Sequence, residues 1–252
     1  MAPIDGLIRD FIFMSIGVFV IFLMYKWLFP NHLSKMRKRF TAWLLSKGMP
    51  RVHNYCKNEK QLLFKKLEKH HKQLGCRLNI LEVGIGSGIN VAHFPPDSCL
   101  SCIEPNFENR VYVEQNIKNK APSIKLEKFV VGFAEDMPDF KDNTFDVVVC
   151  TFVLCSVRSQ ERALKEIRRV LKPGGLFLFL EHVAAPKSSL SRWIQEKLQV
   201  IWPYLSDGCN LNKETWQQVK NADFSEVDIT HFNLRLKLLQ FLSSGMFGVA
   251  IK

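Results

Sequence analysis

The densest chemistry in the chain lies in Leu81-Glu82-Val83-Gly84-Ile85-Gly86-Ser87-Gly88. Glycines at alternate positions let a backbone turn tightly and approach a ligand closely. Glu82 stands two residues before the first glycine, and a second acid, Glu104, follows Gly84 by 20 residues in Cys102-Ile103-Glu104-Pro105-Asn106. A carboxylate at that place accepts both hydroxyl hydrogens of a ribose in a bidentate contact. A third cluster, Ala134-Glu135-Asp136-Met137-Pro138, offers a backbone amide and carboxylates suited to the edge of an adenine.

Two ligand types compete for such a turn. A dinucleotide calls for G-x-G-x-x-G, whose third glycine would fall at Ile89, whereas the spacing here is G-x-G-x-G. A pyrophosphate also seeks the positive end of a helix, and Glu82 is a poor neighbour for it. S-adenosylmethionine carries a sulfonium and an ammonium and no phosphate, so an acid beside the turn suits it. The residues expected to hold this cofactor are Glu82, Gly84, Gly86, Gly88, Glu104, Pro105, Asn106, Glu135, Asp136 and Thr151.

These residues need a scaffold that gathers them at one edge. Asn79–Val83, Ser98–Ile103, Ile124–Val131, Phe145–Thr151 and Leu176–Leu180 read as strands, the fourth (FDVVVCT) as a buried central one. Ser159 is placed to cap a helix running to Leu171, which Lys172-Pro173-Gly174-Gly175 stops. Helices are also expected over Tyr55–Leu74 and Lys187–Val200, and from an Asn212 cap to Asn221, with Phe224–His231 and Met246–Ile251 as a closing strand pair. The alternation predicts an α/β fold: a doubly wound, mostly parallel, seven-stranded Rossmann-like sheet. Ligands bind such sheets at the carboxyl ends of the strands. Asp146 opens the fourth strand and reads as structural.

The rest of the chain has a different character. The formal net charge is +11 over 252 residues, but residues 1–80 carry 15 Lys/Arg against 4 Asp/Glu, and residues 81–252 carry 20 of each. The excess therefore flanks the most apolar stretch, Phe11–Tyr25, which has no charge and is followed by Lys26, Lys35, Arg37, Lys38 and Arg39. A spanning helix needs about 20 apolar residues, reached here only if Lys26 snorkels. No small-residue cleavage pattern follows, so an uncleaved anchor is expected, with the remainder facing the cytosol by the positive-inside rule. Trp27, Phe40 and Trp43 among the cations suit an interfacial stretch. This divides the chain into residues 1–50, a membrane anchor with a basic interfacial segment that contacts lipid, and residues 51–252, the α/β domain. The neutral domain has no basic groove for nucleic acid. Seven cysteines include one CxxC, Cys99 and Cys102, and no four-ligand set, so no metal is expected and the thiols read as reduced.

LEVGIGSG, IEPN, AEDMP, FDVVVCT and RRVLKPGG, in this order, resemble the motif series of class I S-adenosylmethionine-dependent methyltransferases across roughly residues 78–182. The apolar N-terminus, VVCTFVLCSV, EHVAAP and SDGCNLNKETW resemble more narrowly the methyltransferase-like seven family of microsomal thiol S-methyltransferases. The resemblance implies an enzyme of the endoplasmic reticulum membrane and lipid droplet surface that methylates small lipophilic alkyl thiols. One departure is Phe133, where many relatives in the broader class have an Asp; adenine recognition would then pass to Glu135 or Asp136.

Methyl transfer needs alignment above all, because the sulfonium is already activated. A thiol reacts as thiolate, and a general base assists at the carboxyl edge of the sheet. The candidates are His182, ending the fifth strand, and Asp207 in Ser206-Asp207-Gly208-Cys209. The alternatives are transfer to oxygen, nitrogen or carbon of a lipid or quinone-like molecule, or a non-catalytic lipid-droplet protein that keeps the fold.

Overall fold

The computed structural model describes residue 24, residues 30–206, 208–234 and 240–252. Two long helices lead into the domain, α1 (Pro30–Tyr55) and α2 (Lys57–Leu74), broken only at Cys56. The first runs through residue 50, with Pro50 inside it, so the basic segment and the start of the domain share one helix. Helix α2 buries Leu63, Phe64 and Leu67 and ends at Gly75, whose φ of 61° closes the cap onto His71. Cys99 and Cys102 lie in β2 (Cys99–Ile103), where an offset of three residues sends the side chains to opposite faces.

The sheet holds β1 (Asn79–Val83), β2, β3 (Lys125–Val130), β4 (Phe145–Thr151), β5 (Leu171–His182), β6 (Glu226–Asn233) and β7 (Ser244–Ile251), in the spatial order β3-β2-β1-β4-β5-β7-β6. Strands β1 to β5 pair in parallel, and β7 pairs antiparallel with both β5 and β6. The expected seven-stranded Rossmann-like sheet is therefore present. The closing pair is inverted in space, because the later strand lies inside and the earlier one at the edge.

Core forms on both faces of the sheet. Val148 and Cys150 pack on one side with Leu164 and Ile167 of α4 (Gln160–Val170), whereas Val147 and Val149 pack on the other with Leu63 and Leu67 of α2. Ser159 caps α4, its hydroxyl accepting from Arg162 N at 3.3 Å, as expected. Asp146 ties the amino-terminal edge together: it accepts from Asn79 N at 2.8 Å and from Lys172 Nζ at 2.6 Å. Helix α3 (Arg110–Lys120) links β2 to β3. After β5 come α5 (Leu190–Leu198), a single helical turn α6 (Trp202–Leu205) and α7 (Thr215–Lys220). The last begins later than the expected Asn212 cap, because Leu211 is drawn down onto α5, its amide donating to Gln199 Oε1 at 2.7 Å.

Phe11–Tyr25, the expected anchor, lies outside the described residues apart from Met24, which is exposed. Among the described residues no helix is long and apolar enough to cross a membrane.

Candidate active site

The glycine turn begins where β1 ends. Gly84, Gly86 and Gly88 all take left-handed φ, at 63°, 53° and 75°. A Cβ on Gly84 would strike Val153 Cγ2, and one on Gly88 would come within 3.1 Å of the Val113 backbone. One on Gly86 would meet nothing within 4 Å, so that side of the turn is open. Two glycines thus allow close packing, and the third leaves room beside the turn.

Glu104, at the end of the neighbouring strand, is buried and holds this turn. Its Oε2 accepts from Gly86 N at 2.9 Å and its Oε1 from Asn106 N at 3.0 Å. Asn106 in turn accepts from Glu108 N at 3.1 Å and donates to Lys38 O at 2.9 Å, which fastens α1 to the end of β2. Pro105 is exposed.

Glu82 is the most deeply placed acid. Its Oε1 accepts from Asn90 Nδ2 at 2.7 Å, and the same amide reaches Thr151 Oγ1 at 2.9 Å. The other carboxylate oxygen, Glu82 Oε2, and Asn90 Oδ1 are buried with no hydrogen-bond partner. Burial pushes the Glu82 carboxyl up to about 8, against the Asn90 hydrogen bond and the nearby Lys60 cation. Lys60 is itself buried on α2, contacts His53 Nδ1 at 2.9 Å and is lowered by burial to about 8. Two acceptors without donors fit a ligand that brings cationic groups, as the ammonium and sulfonium of S-adenosylmethionine do.

The third motif divides. Glu135 Oε1 accepts from Arg158 N at 2.6 Å and Ser159 N at 3.4 Å, so this carboxylate holds the start of α4. Asp136 is exposed, and its amide closes a turn onto Phe133 O at 3.2 Å. The Phe133 ring stands exposed, with the Arg158 guanidinium 5.7 Å from its centre.

A second group of functional side chains gathers at the carboxyl ends of β4 and β5. Glu181 is fully buried and accepts from three successive amides, Val153 N, Leu154 N and Cys155 N, at 3.0, 3.1 and 3.3 Å. Burial raises it to about 7 against those three amides. The loop it shapes starts at Phe152, a left-handed non-glycine residue with φ 58°, whose ring meets His53 edge-on at 5.5 Å. His182, next to Glu181, is buried, and neither ring nitrogen makes a hydrogen bond of ordinary geometry. Asp207 lies outside the described residues.

The structure therefore brings Glu82, Gly84, Gly86, Gly88, Glu104, Asn106 and Thr151 together, and His182 onto the same edge of the sheet. Glu135 is engaged by the α4 terminus, and Asp136 and Pro105 are at the surface. Sequence reasoning did not find Asn90, Lys60 with His53, or Glu181 as an organiser. Asn90 lies two residues past the last glycine and Glu181 just before His182, and neither position has a spacing rule that marks it. Among the described residues no group of three ligands is arranged for a metal.

Residues 81–179 match the family model of a methyltransferase domain. The chain is 39% identical over 195 residues to thiol S-methyltransferase TMT1A of Homo sapiens, across 77% of this chain and 79% of that protein. It is 35% identical to thiol S-methyltransferase TMT1B of Rattus norvegicus, across 76% and 78%. Its fold is similar to the crystal structure of YcgJ from Bacillus subtilis, with a TM-score of 0.59 at 17% identity, covering 78% of this chain and 98% of that one.

Proposed function

Because the chain belongs to the class I S-adenosylmethionine-dependent methyltransferases, we propose that it transfers the cofactor's methyl group to the sulfur of small lipophilic thiols. The observation that carries this is the likeness to thiol S-methyltransferases along more than three quarters of its length. When bound, S-adenosylmethionine supplies an electrophilic methyl group on a sulfonium leaving group. Glu104 would hold the ribose hydroxyls, Glu82 with Asn90 would face the cationic tail, and Gly86 would leave room for the backbone to approach. His182, buried at the carboxyl edge without a ring partner, takes the proton of the acceptor thiol. The helical turn Trp202–Leu205 carries the exposed Tyr204 and is preceded by the exposed Trp193, Val200 and Ile201, an apolar rim suited to a lipophilic acceptor.

The test is turnover by purified full chain in detergent across aliphatic thiols, phenols and amines. Methylation of the thiols is expected, with kcat falling about 10²-fold in His182→Ala while cofactor affinity holds. Methylation of phenols or amines without thiols would reassign the acceptor. An unchanged kcat in the variant would remove His182 as the base.

Cofactor affinity is expected to rise with pH. Without ligand, the Glu82 carboxyl titrates at about 8 and is mostly protonated at neutral pH. A bound cation favours the carboxylate, so binding expels a proton and tightens as pH climbs towards that value. Lys60 loses its charge over the same range, which acts in the same direction. The stability of the unliganded protein moves oppositely. A raised carboxyl contributes fully below its unfolded pKa of about 4.3, and that contribution is lost as pH rises to the folded value. Calorimetry in buffers of different ionisation enthalpy reads the proton release. Glu82→Gln should cut it sharply, leaving only what Lys60 contributes, and identical release in the variant would assign it elsewhere.

The N-terminal segment is proposed to hold the enzyme on the endoplasmic reticulum membrane or the lipid droplet surface, with the domain facing the cytosol. In support, α1 exposes Met36, Phe40, Trp43 and Leu44 among Lys35, Arg37, Lys38 and Arg39. Flotation of the full chain with vesicles containing anionic lipid tests this; protein left at the bottom of the gradient would contradict it.

A further inference from the structure

Helix α5 is amphipathic in the reverse sense. A helix lying on a protein ordinarily buries its apolar stripe and turns its polar one to water. Here the polar side chains point inward. Gln195 is fully buried; its Oε1 accepts from Ala185 N at 2.8 Å, and its Nε2 donates to Phe241 O at 2.8 Å and Val183 O at 3.4 Å. One turn on, Gln199 accepts from Leu211 N at 2.7 Å and donates to Asn210 Oδ1 at 2.6 Å. Ile194 and Leu198 are half-buried along one flank.

Trp193 and Lys197 stand two residues either side of Gln195, about 200° round the helix, and so project outward together with Leu190. Leu190 is 71% exposed and Trp193 58%, and the Lys197 ammonium lies 6.0 Å from the centre of the Trp193 ring. Past the helix end Val200 and Ile201 are 74% and 59% exposed, and Tyr204 on α6 is 89% exposed. The inner glutamines hold this face outward, because turning α5 over would leave Ala185 N and Phe241 O without their partners.

Single exposed apolar side chains are ordinary, but a run of them backed by a buried polar face marks a docking surface. Its chemistry selects the occupant. Protein interfaces deplete lysine, whereas a lysine over an indole can extend to lipid headgroups while Trp and Tyr rings settle at the membrane boundary. Lys187–Leu205 carries Lys187, Arg192 and Lys197 against Glu196, a net of +2, which complements anionic lipid. Helix α1, tied to the end of β2 through Asn106 and Lys38, lies at the same carboxyl edge of the sheet.

We propose that the outer face of α5 and the α6 turn is a second lipid-contacting surface, separate from the N-terminal segment, which seats the domain on an anionic phospholipid membrane. Gln195 holds that face over Val183 and Ala185, directly after His182. The docked domain therefore opens its carboxyl edge towards the phase in which a lipophilic acceptor concentrates. That last consequence rests on the acceptor reading above; the contact itself does not.

The experiment binds full chain to phosphatidylcholine–phosphatidylserine vesicles whose acyl chains carry bromine near the headgroups, where bromine quenches a tryptophan that touches it. Subtracting the emission of Trp193→Phe from that of the wild type isolates Trp193 from the other four tryptophans. Its share should fall roughly twofold or more in brominated over plain vesicles. Val200→Asp combined with Tyr204→Asp alters exposed side chains only, and should restore that emission at the wild-type melting temperature. Floated protein with an unquenched Trp193 overturns the proposal and leaves the N-terminal anchor standing; protein that stays at the bottom of the gradient overturns both. Quenching that survives the paired aspartates also overturns it. An unquenched Trp193 in a chain that light scattering shows to be a dimer gives this face to a second copy instead.

Discussion

Glu104→Gln is expected to weaken S-adenosylmethionine binding by about two orders of magnitude, roughly 3 kcal/mol, while leaving the fold intact. The side chain keeps its size but loses its charge and half its accepting capacity. Both carboxylate oxygens already accept from backbone amides, one from Gly86 N and one from Asn106 N. A glutamine must turn its NH2 towards one of those donors. Either the glycine turn or the start of the Asn106 loop then loses its anchor, and a ribose hydroxyl finds a donor where it needs an acceptor. Calorimetry measures the affinity and thermal melting checks the fold. A Gln variant that binds cofactor like the wild type would show that the sugar sits elsewhere.

Glu181→Ala should destabilise the protein by about 3–5 kcal/mol and abolish turnover. The fully buried carboxylate gathers the amides of Val153, Leu154 and Cys155, and removing it leaves three buried donors unpaired. Glu181→Gln distinguishes the hydrogen bonds from the charge. Val153 N and Leu154 N share Oε1, so a glutamine carbonyl can retain both, while its NH2 meets Cys155 N. A loss nearer 1–2 kcal/mol is expected for Gln. Urea unfolding gives the order wild type, Gln, Ala; equal midpoints for all three would mean that the loop after β4 is held by its other contacts.

The legibility of this chain follows the range of the interactions. Strand β4 announces itself because its β-branched run is buried on both faces, and Ser159 because capping is settled within one helical turn. The glycine turn is equally local, its conformation being written in Gly84, Gly86 and Gly88. Glu104 is legible at the end of the second strand, whose Cys99–Ile103 run stops one residue before it. Glu135 lay in the expected motif, yet its carboxylate serves Arg158 N and Ser159 N, more than 20 residues on, and no local pattern signals that engagement. The same holds for Asn90 bridging Glu82 to Thr151, and for Asn210 reaching back to the Cys155 carbonyl. These are meetings between loops at one sheet edge, and they exist only once the strands are ordered. The start of α7 shifted for a similar reason: the pull of Gln199 on Leu211 outweighs the capping preference of Asn212.

The sheet order has a consequence for biosynthesis. Strand β6 has one neighbour, and that neighbour is made after it. While residues beyond 233 are still in the ribosomal tunnel, β5 presents an unpaired edge of consecutive apolar side chains, and β6 has nothing to join. Vectorial synthesis thus cannot finish this sheet one strand at a time; the nascent domain waits for its final strand to slide between two earlier ones. Until β7 emerges, that waiting edge is a natural target for chaperones.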